Sequence, residues 1–146
     1  MSDFRQLSDS VWVSPQIGLD DVAEAARLGF ALIINNRPEG ESPDQVPGEA
    51  IAEAARAHGM AYCAIPVTHA GFSLEQVEEL GKALAAAKGP ALAYCRSGTR
   101  STFLWALAQA KTGHDPAAIA HAAAQAGYDI SPLSGTLQQF AAGAKG

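Results

Sequence analysis

The chain has 146 residues, 48% of them hydrophobic, which is enough for one globular domain spanning residues 1–146. Its net charge is −5 and it has no long basic tract, so we expect no nucleic-acid partner and no anionic-membrane partner. The first ten residues are polar and unlike a secretory signal, and no apolar run approaches the ~20 residues of a membrane span, so we expect a cytoplasmic protein.

Short apolar runs alternate with helical patterns along the first two thirds of the chain. The apolar runs predict strands, and apolar residues at helical spacing, often ended by glycine, predict helices. In chain order we predict a strand over 11–13, a helix over 19–28, a strand over 30–34, a helix over 48–58, a strand over 61–67, a helix capped by Ser73 and running to about residue 88, and a strand over 91–94. The run over 30–34 is unbroken, which indicates a strand buried on both faces.

Only helices are predicted after the last strand, over 101–111, 115–126 and 133–142. Strands that alternate with helices indicate an α/β fold of three layers, a short and mostly parallel sheet flanked by helices. Ligands of such sheets bind at the carboxyl ends of the strands, which is where Asn35, Thr68 and Cys95 lie.

The most informative segment is the loop Cys-Arg-Ser-Gly-Thr-Arg-Ser over residues 95–101. It places Cys95 between a strand and the amino terminus of a helix, whose free N–H groups and dipole favour anions. We therefore predict that Cys95 is a nucleophilic thiolate rather than a small buried hydrophobic residue. Gly98 allows the backbone to curl inward. Arg100 is predicted to be catalytic, and the remaining loop residues are predicted to bind an anionic substrate: Arg96, Ser97, Gly98, Thr99 and Ser101.

Within this loop, Arg96 is expected to reach outward, and Ser97 and Ser101 are expected to donate hydrogen bonds to the sulfur.

The spacing of the loop residues bears on the chemistry. Tyrosine-phosphatase-like enzymes place five residues between cysteine and arginine, whereas four residues separate Cys95 from Arg100, and Ser101 occupies the phosphatase arginine position. The shorter loop resembles that of rhodanese-type sulfurtransferases, and a smaller bowl suits a persulfide or sulfonate group better than a phosphoryl group.

A phosphatase also needs a general acid, and the chain has no aspartate between Gln45 and His114. Glu39, Glu41 and Asp44 are the carboxylates of the earlier loop that would have to replace it. Sulfur transfer needs no such acid, because sulfite is already a stable anion.

The strand and helix order, the segment Asn35-Asn36-Arg37-Pro38-Glu39 and the helices after Ser101 look like a phosphatase scaffold. Together with the loop, they resemble the bacterial phosphatase-like domains of beta-lactamase-hydrolase-like proteins, also called phosphatase-like sulfurtransferases. The resemblance covers roughly residues 11–112 and is most specific at residues 33–38, 65–67 and the cysteine loop. It implies a fold like that of tyrosine and dual-specificity phosphatases and a role in sulfide or persulfide handling. In some relatives the domain is fused to a metal-dependent sulfur dioxygenase.

Two further residues follow strands and are predicted to bind substrate. Arg37 either orients an anion or is a surface arginine paired with Glu39 or Glu41. His69 either contacts substrate or is simply solvated.

Cys63 is predicted to be a core thiol, with a resolving thiol for Cys95 as the alternative. No spacing of His, Cys and acidic residues suggests a metal site, and no cofactor is expected.

The leading hypothesis is a sulfurtransferase that moves a sulfane sulfur from thiosulfate or a persulfide through a Cys95 persulfide. The acceptor would be cyanide, sulfite or a low-molecular-weight thiol. The first alternative is a tyrosine- or dual-specificity-like phosphatase acting through a Cys95 phosphoenzyme. The second is a non-catalytic module that binds an anion or senses oxidants. The sequence does not indicate an oligomeric state.

Overall fold

A five-stranded sheet lies between two layers of helices in the computed structural model, which describes residues 2–145. The strands are β1 (Arg5–Gln6), β2 (Val11–Ser14), β3 (Leu32–Asn35), β4 (Ala61–Ala64) and β5 (Ala91–Tyr94). The helices are α1 (Leu19–Arg27), α2 (Gly48–Ala57), α3 (Leu74–Ala86), α4 (Thr99–Lys111), α5 (Pro116–Gln125) and α6 (Ser134–Lys145), with a short 3₁₀ turn over Ser131–Leu133. The predicted three-layer α/β class is confirmed.

The strand order is β1-β2-β5-β3-β4, and every pairing is parallel except the antiparallel pair of β1 with β2. The sequence analysis did not predict β1, because two partly exposed residues carry no detectable pattern. The central strands β3 and β5 are buried along their whole length, as the unbroken apolar run predicted for β3. The carboxyl ends of β2, β5, β3 and β4 therefore lie at the same edge of the sheet.

Alternating residues of the sheet contribute to two separate cores. On β5, Ala91 and Ala93 pack with α4 residues such as Leu104, whereas Leu92 and Tyr94 pack with residues of α1 and α2. This alternation is the period of two expected of a strand. The helical layer on the α4 side of the sheet consists of α3, α4, α5 and α6. The cysteine loop leads from β5 into this layer.

Several predicted bounds differ from the structure by one to three residues, and two of these differences have identifiable reasons. The strand predicted over 61–67 ends at Ala64, since Pro66 cannot donate to the ladder. The Ile65 and Val67 N–H groups still donate to the carbonyls of Asn35, the last residue of β3, and of Asn36. The helix predicted from residue 101 begins at Thr99, because Gly98 is its N-cap in a left-handed conformation with φ +92°. Within residues 2–145 no strand follows α4, as predicted. In the same range, no helix combines the length and apolar character needed to cross a bilayer.

Candidate active site

Cys95 follows β5 directly and lies beneath the amino terminus of α4. The residue is fully buried, yet its surroundings are polar. The Gly98 N–H donates to Sγ at 3.1 Å, and Arg100 lies close enough to interact with the thiol. The first-turn N–H groups of the thirteen-residue α4 have no acceptor within the helix. The predicted placement of the cysteine at a helix amino terminus is therefore confirmed.

Arg100 is anchored by a carboxylate and by a main-chain carbonyl. Its Nη1 donates to Glu41 Oε2 at 2.7 Å and to the Val67 carbonyl at 2.7 Å, and its Nη2 donates to Glu41 Oε1 at 2.8 Å. The hydrogen bond with Glu41 and, to a smaller extent, the nearby Cys95 raise the pKa of Arg100. The guanidinium is thus held in one orientation beside the sulfur.

Arg37 binds the other side of the same carboxylate. Its Nε donates to Glu41 Oε1 at 3.0 Å, and its remaining nitrogens donate to Gln16 Oε1 at 2.9 Å and Ser42 Oγ at 3.2 Å. The side chain is only 4% exposed, so it is not the surface arginine of the alternative interpretation, although the pairing with Glu41 is present. Arg37 and Arg100, both predicted to bind anions, meet at one internal anion.

The protonation state of Glu41 follows from this clamp. The hydrogen bond from Arg100, with a further one from Arg37, lowers the pKa of Glu41 to about 2. The carboxylate is therefore ionised at neutral pH and holds no proton to give to a leaving group. Sequence reasoning named Glu41 only as a substitute general acid, and the structure instead makes it the common partner of two arginines.

The other two carboxylates of this loop also have structural partners. Glu39 accepts from the Gly48 N–H at 2.9 and 3.2 Å, which places a negative charge at the amino terminus of α2. Asp44 is exposed and accepts from Ser42 Oγ, and this hydrogen bond lowers the pKa of Asp44. Neither arrangement suits a proton donor to a group bound at Cys95.

Ser97 and Ser101 do not donate to the sulfur, so that part of the sequence interpretation is wrong. Ser101 Oγ donates to Asn36 Oδ1 at 2.8 Å, and Asn36 Nδ2 donates to the Ile65 carbonyl at 2.9 Å. Ser97 Oγ is exposed and bonds to Thr99 Oγ1 at 3.0 Å. The residue at the phosphatase arginine position therefore ties α4 to the end of β3 instead of reaching toward a substrate.

Arg96 is exposed, as expected of an outward-facing arginine, and His69 is exposed on the segment after Val67. His69 is thus two residues from the carbonyl that binds Arg100, and its predicted contact with substrate stays a prediction. In residues 2–145 no group of three or more His, Cys, Asp or Glu side chains is arranged to hold a metal ion.

Cys63 is too far from Cys95 to form a disulfide in this structure. It pairs with Ile34 on β3, and Ile34 pairs with Ala93 on β5, so two strand spacings of about 4.8 Å separate the two cysteine-bearing strands. Disulfides require Cα atoms within about 4.4–6.8 Å. Burial raises the pKa of the Cys63 thiol. A disulfide between Cys63 and Cys95, one form of the resolving-thiol alternative, is therefore excluded in this conformation, and the core-thiol interpretation fits.

Tyr128 is a residue of the site that sequence reasoning missed. It follows α5, and its hydroxyl donates to the Ser97 carbonyl at 2.9 Å. A Cβ at Gly98 would lie 2.1 Å from this hydroxyl, so the tyrosine and the glycine fit together. No local pattern around residue 128 marks it as a partner of a loop 31 residues earlier.

Comparison with known proteins identifies the family of this chain. Residues 3–112 match the family described as the phosphatase-like domain of beta-lactamase hydrolase-like proteins. The chain belongs to this family. A beta-lactamase hydrolase-like protein of Xylella fastidiosa is 35% identical over 107 residues, which are 73% of this chain and 25% of the relative. The chain thus spans about a quarter of the length of the curated relatives it matches.

The fold of this family member is that of tyrosine and dual-specificity phosphatases. A crystal structure of a candidate phosphatase from Neisseria meningitidis superposes with a TM-score of 0.85 at 29% identity, covering 96% of this chain and 99% of the other. A candidate dual-specificity phosphatase from mouse superposes with a TM-score of 0.70 at 18% identity, covering 98% and 89%. The family resemblance and the phosphatase-like fold expected from the sequence are both confirmed.

Proposed function

We propose that this phosphatase-like domain is a sulfurtransferase whose nucleophile is Cys95. The Cys95 thiolate attacks the outer sulfur of thiosulfate, the sulfur–sulfur bond of the donor breaks, and sulfite leaves with the bonding electron pair. The product is a Cys95 persulfide anion. An anionic acceptor, such as cyanide or a thiolate, then attacks the terminal sulfur and regenerates the Cys95 thiolate. No proton is transferred in either step.

The observation that carries this proposal is the state of Glu41. A phosphatase protonates the oxygen that leaves, and an acid whose pKa is about 2 has no proton to donate at neutral pH. Glu39 and Asp44 are occupied by the amino terminus of α2 and by Ser42. None of these three carboxylates is therefore placed to donate a proton, which suits a leaving group that is already a stable anion, as sulfite is.

The anion-binding groups suit the same reaction. The first-turn N–H groups of α4 and the Arg100 guanidinium supply positive potential around the sulfur, where the anionic donor binds and where sulfite departs. Arg100 is the arginine of the loop that lies beside the sulfur. The next residue, Ser101, stands at the phosphatase arginine position and is held by Asn36. Arg96 and His69 are proposed to contact the donor or the acceptor at the mouth of the site.

Intact-protein mass spectrometry after incubation with thiosulfate tests the proposal. We expect the wild type to gain the mass of one sulfur atom and to lose it again on addition of cyanide. The Cys95→Ser variant, which keeps the loop and its arginines, should gain nothing. If neither thiosulfate nor a persulfide donor adds sulfur to folded wild-type protein, the proposal is wrong.

A phosphatase is the second candidate, because the solved structure with a TM-score of 0.85 is of a candidate phosphatase. It predicts hydrolysis of an aryl phosphate through a Cys95 phosphoenzyme, lost in Cys95→Ser. Aryl phosphates are the appropriate probe because their leaving groups depend least on a general acid. Measuring both substrates on one preparation compares the two chemistries directly.

A further inference from the structure

The peptide unit between Ser97 and Gly98 is held at both ends. Its N–H, on Gly98, donates to Cys95 Sγ at 3.1 Å, and its carbonyl, on Ser97, accepts from the Tyr128 hydroxyl at 2.9 Å. In a trans peptide the N–H and the C=O point in opposite directions within one plane. A donor that fixes the carbonyl therefore also fixes the direction of the N–H.

The structure holds Tyr128 firmly in this position. Gly127 ends α5 in a left-handed conformation with φ +94°, and the Tyr128 N–H donates to the Ala123 carbonyl at 2.9 Å. The Arg5 guanidinium lies over the ring, 5.1 Å from its centroid. Only 7% of the residue is exposed. Burial raises the pKa of Tyr128, so its hydroxyl keeps the proton that it donates to Ser97.

The glycine at position 98 is explained by the same contact. Its φ of +92° is a left-handed conformation that favours glycine, and any side chain there would occupy the place of the Tyr128 hydroxyl. Gly98 and Tyr128 are thus complementary parts of one arrangement. Tyr128 lies beyond residues 3–112, which match the family model, so the helical segment after α4 supplies a contact to the cysteine loop.

We propose that Tyr128 is a positioning residue for the nucleophile, which keeps the Gly98 N–H directed at the Cys95 sulfur and so stabilises the thiolate. A hydrogen bond to the carbonyl also polarises the peptide unit and strengthens the N–H as a donor. The proposal rests on Cys95 being the nucleophile of the proposed function. It does not depend on whether the group transferred is a sulfur or a phosphoryl group.

The test is the pH dependence of alkylation of Cys95 by iodoacetamide in the wild type and in Tyr128→Phe, both carrying Cys63→Ser. The phenylalanine keeps the ring and its packing and removes only the hydroxyl. The other charged or titratable groups around the site and around Tyr128 are unchanged in both proteins: Arg100 on α4, Arg96 on the loop, Arg37 and Glu41 on the loop after β3, His69 on the segment after β4, and Arg5 with its partner Asp3 beside the tyrosine ring. A difference between the two profiles therefore reports on the Tyr128 hydroxyl.

We expect the midpoint of alkylation to rise by about 0.3–1 pH unit in Tyr128→Phe, with a rate about two- to tenfold lower below the midpoint, as loss of one hydrogen bond would give. The matched control is Tyr62→Phe, which removes a hydroxyl bonded to Asn35 on the opposite face of the sheet. A second control, Ile130→Val, perturbs buried packing two residues from Tyr128 and leaves its hydroxyl in place.

Two results would overturn the proposal. One is a Tyr128→Phe profile that superposes on the wild type. The other is an equal shift in Ile130→Val or Tyr62→Phe, which would indicate a general loosening of the fold. Because alkylation needs no sulfur donor, a failure here is distinct from a failure to form the persulfide.

Discussion

The Arg100 guanidinium donates two hydrogen bonds to the Glu41 carboxylate, with lengths of 2.7 and 2.8 Å. The two residues are 59 positions apart in the chain. This pair joins the loop after β3 to the first turn of α4, the two segments that enclose Cys95. Arg37 binds the same carboxylate and is itself buried. The site therefore contains an internal anion with two cationic partners, and an anionic substrate that bound Arg100 would share it with Glu41.

Replacing Glu41 by glutamine should destabilise the fold in a pH-dependent way. Because the folded-state pKa of about 2 lies below the ordinary value of 4.5, ionised Glu41 stabilises the fold above pH 4.5. That contribution is lost as the pH falls from 4.5 toward 2. We expect Glu41→Gln to lower the free energy of unfolding by about 1–2 kcal/mol near neutral pH, a value reduced for solvent screening.

Urea unfolding of the wild type and the variant at neutral and acidic pH measures this difference. The two stabilities should converge as the pH approaches the folded-state pKa. A matched control is Glu24→Gln, since Glu24 forms an exposed pair with Arg27 within α1 and should have little effect at any pH. A Glu41→Gln deficit that is constant with pH would show that the ion pair is not its cause.

Replacing Arg100 by lysine should reduce the reaction at Cys95 by at least about 100-fold, the cost typical of losing a donor at developing charge. Lysine keeps the charge but cannot bind Glu41 at two points and the Val67 carbonyl in one plane. Single-turnover persulfide formation measures the effect. Arg96→Lys makes the same chemical change four residues earlier, on an exposed side chain, and should reduce the rate only severalfold. Equal losses in the two variants would contradict the special position of Arg100.

Replacing Ser101 by alanine should affect stability more than rate. The substitution leaves the Oδ1 of the buried Asn36 without its donor, at a cost of about 1–3 kcal/mol. Ser97→Ala is the control, because its exposed hydroxyl bonds only within the loop and its loss should change stability by about 0.5 kcal/mol or less. Thermal unfolding and persulfide formation, measured together, separate the two effects. A large loss of rate with unchanged stability in Ser101→Ala would restore the serine as a donor to the substrate.

The parts of the fold that depend on local patterns were predictable from the sequence. The apolar run before Cys95 gave the buried strand β5, with the same bounds as in the structure. The Ser73 and Gln76 spacing gave the capping box of α3, in which each residue bonds to the other's main-chain N–H. The placement of Cys95 at a helix amino terminus followed from the same local reasoning.

The contacts that orient the site were not predictable in this way. The Arg100–Glu41 pair and the Ser101–Asn36 bond join residues 59 and 65 positions apart, and they exist only because β3 and β5 are neighbours in the sheet. The sequence showed a carboxylate at position 41 and a hydroxyl at position 101, but not what either one faces. Tyr128 is a sharper case, since it lies between two helices with no motif around it. Its partner becomes apparent only when α5 packs beside the cysteine loop.

The fit between Gly98 and Tyr128 leads to a prediction for Gly98→Ala. A Cβ there would lie 2.1 Å from the Tyr128 hydroxyl and 3.4 Å from the main-chain carbon of Ser14, on a backbone with φ +92°. A left-handed alanine costs about 1–2 kcal/mol, and overpacking adds about 1–3 kcal/mol. We expect a loss of about 2–5 kcal/mol in the free energy of unfolding, and loss of reactivity at Cys95 in the protein that remains folded.

Gly59→Ala separates the backbone cost from the steric one. Gly59 also has a left-handed conformation, with φ +78°, but a Cβ there meets nothing within 4 Å. It should cost only about 1–2 kcal/mol and leave the alkylation of Cys95 unchanged. Chemical unfolding of both variants gives the two stabilities, and iodoacetamide gives the two reactivities. If Gly98→Ala were no less stable than Gly59→Ala and reacted normally, Tyr128 would not be in contact with the loop in solution, because the clash that distinguishes the two glycines would be absent.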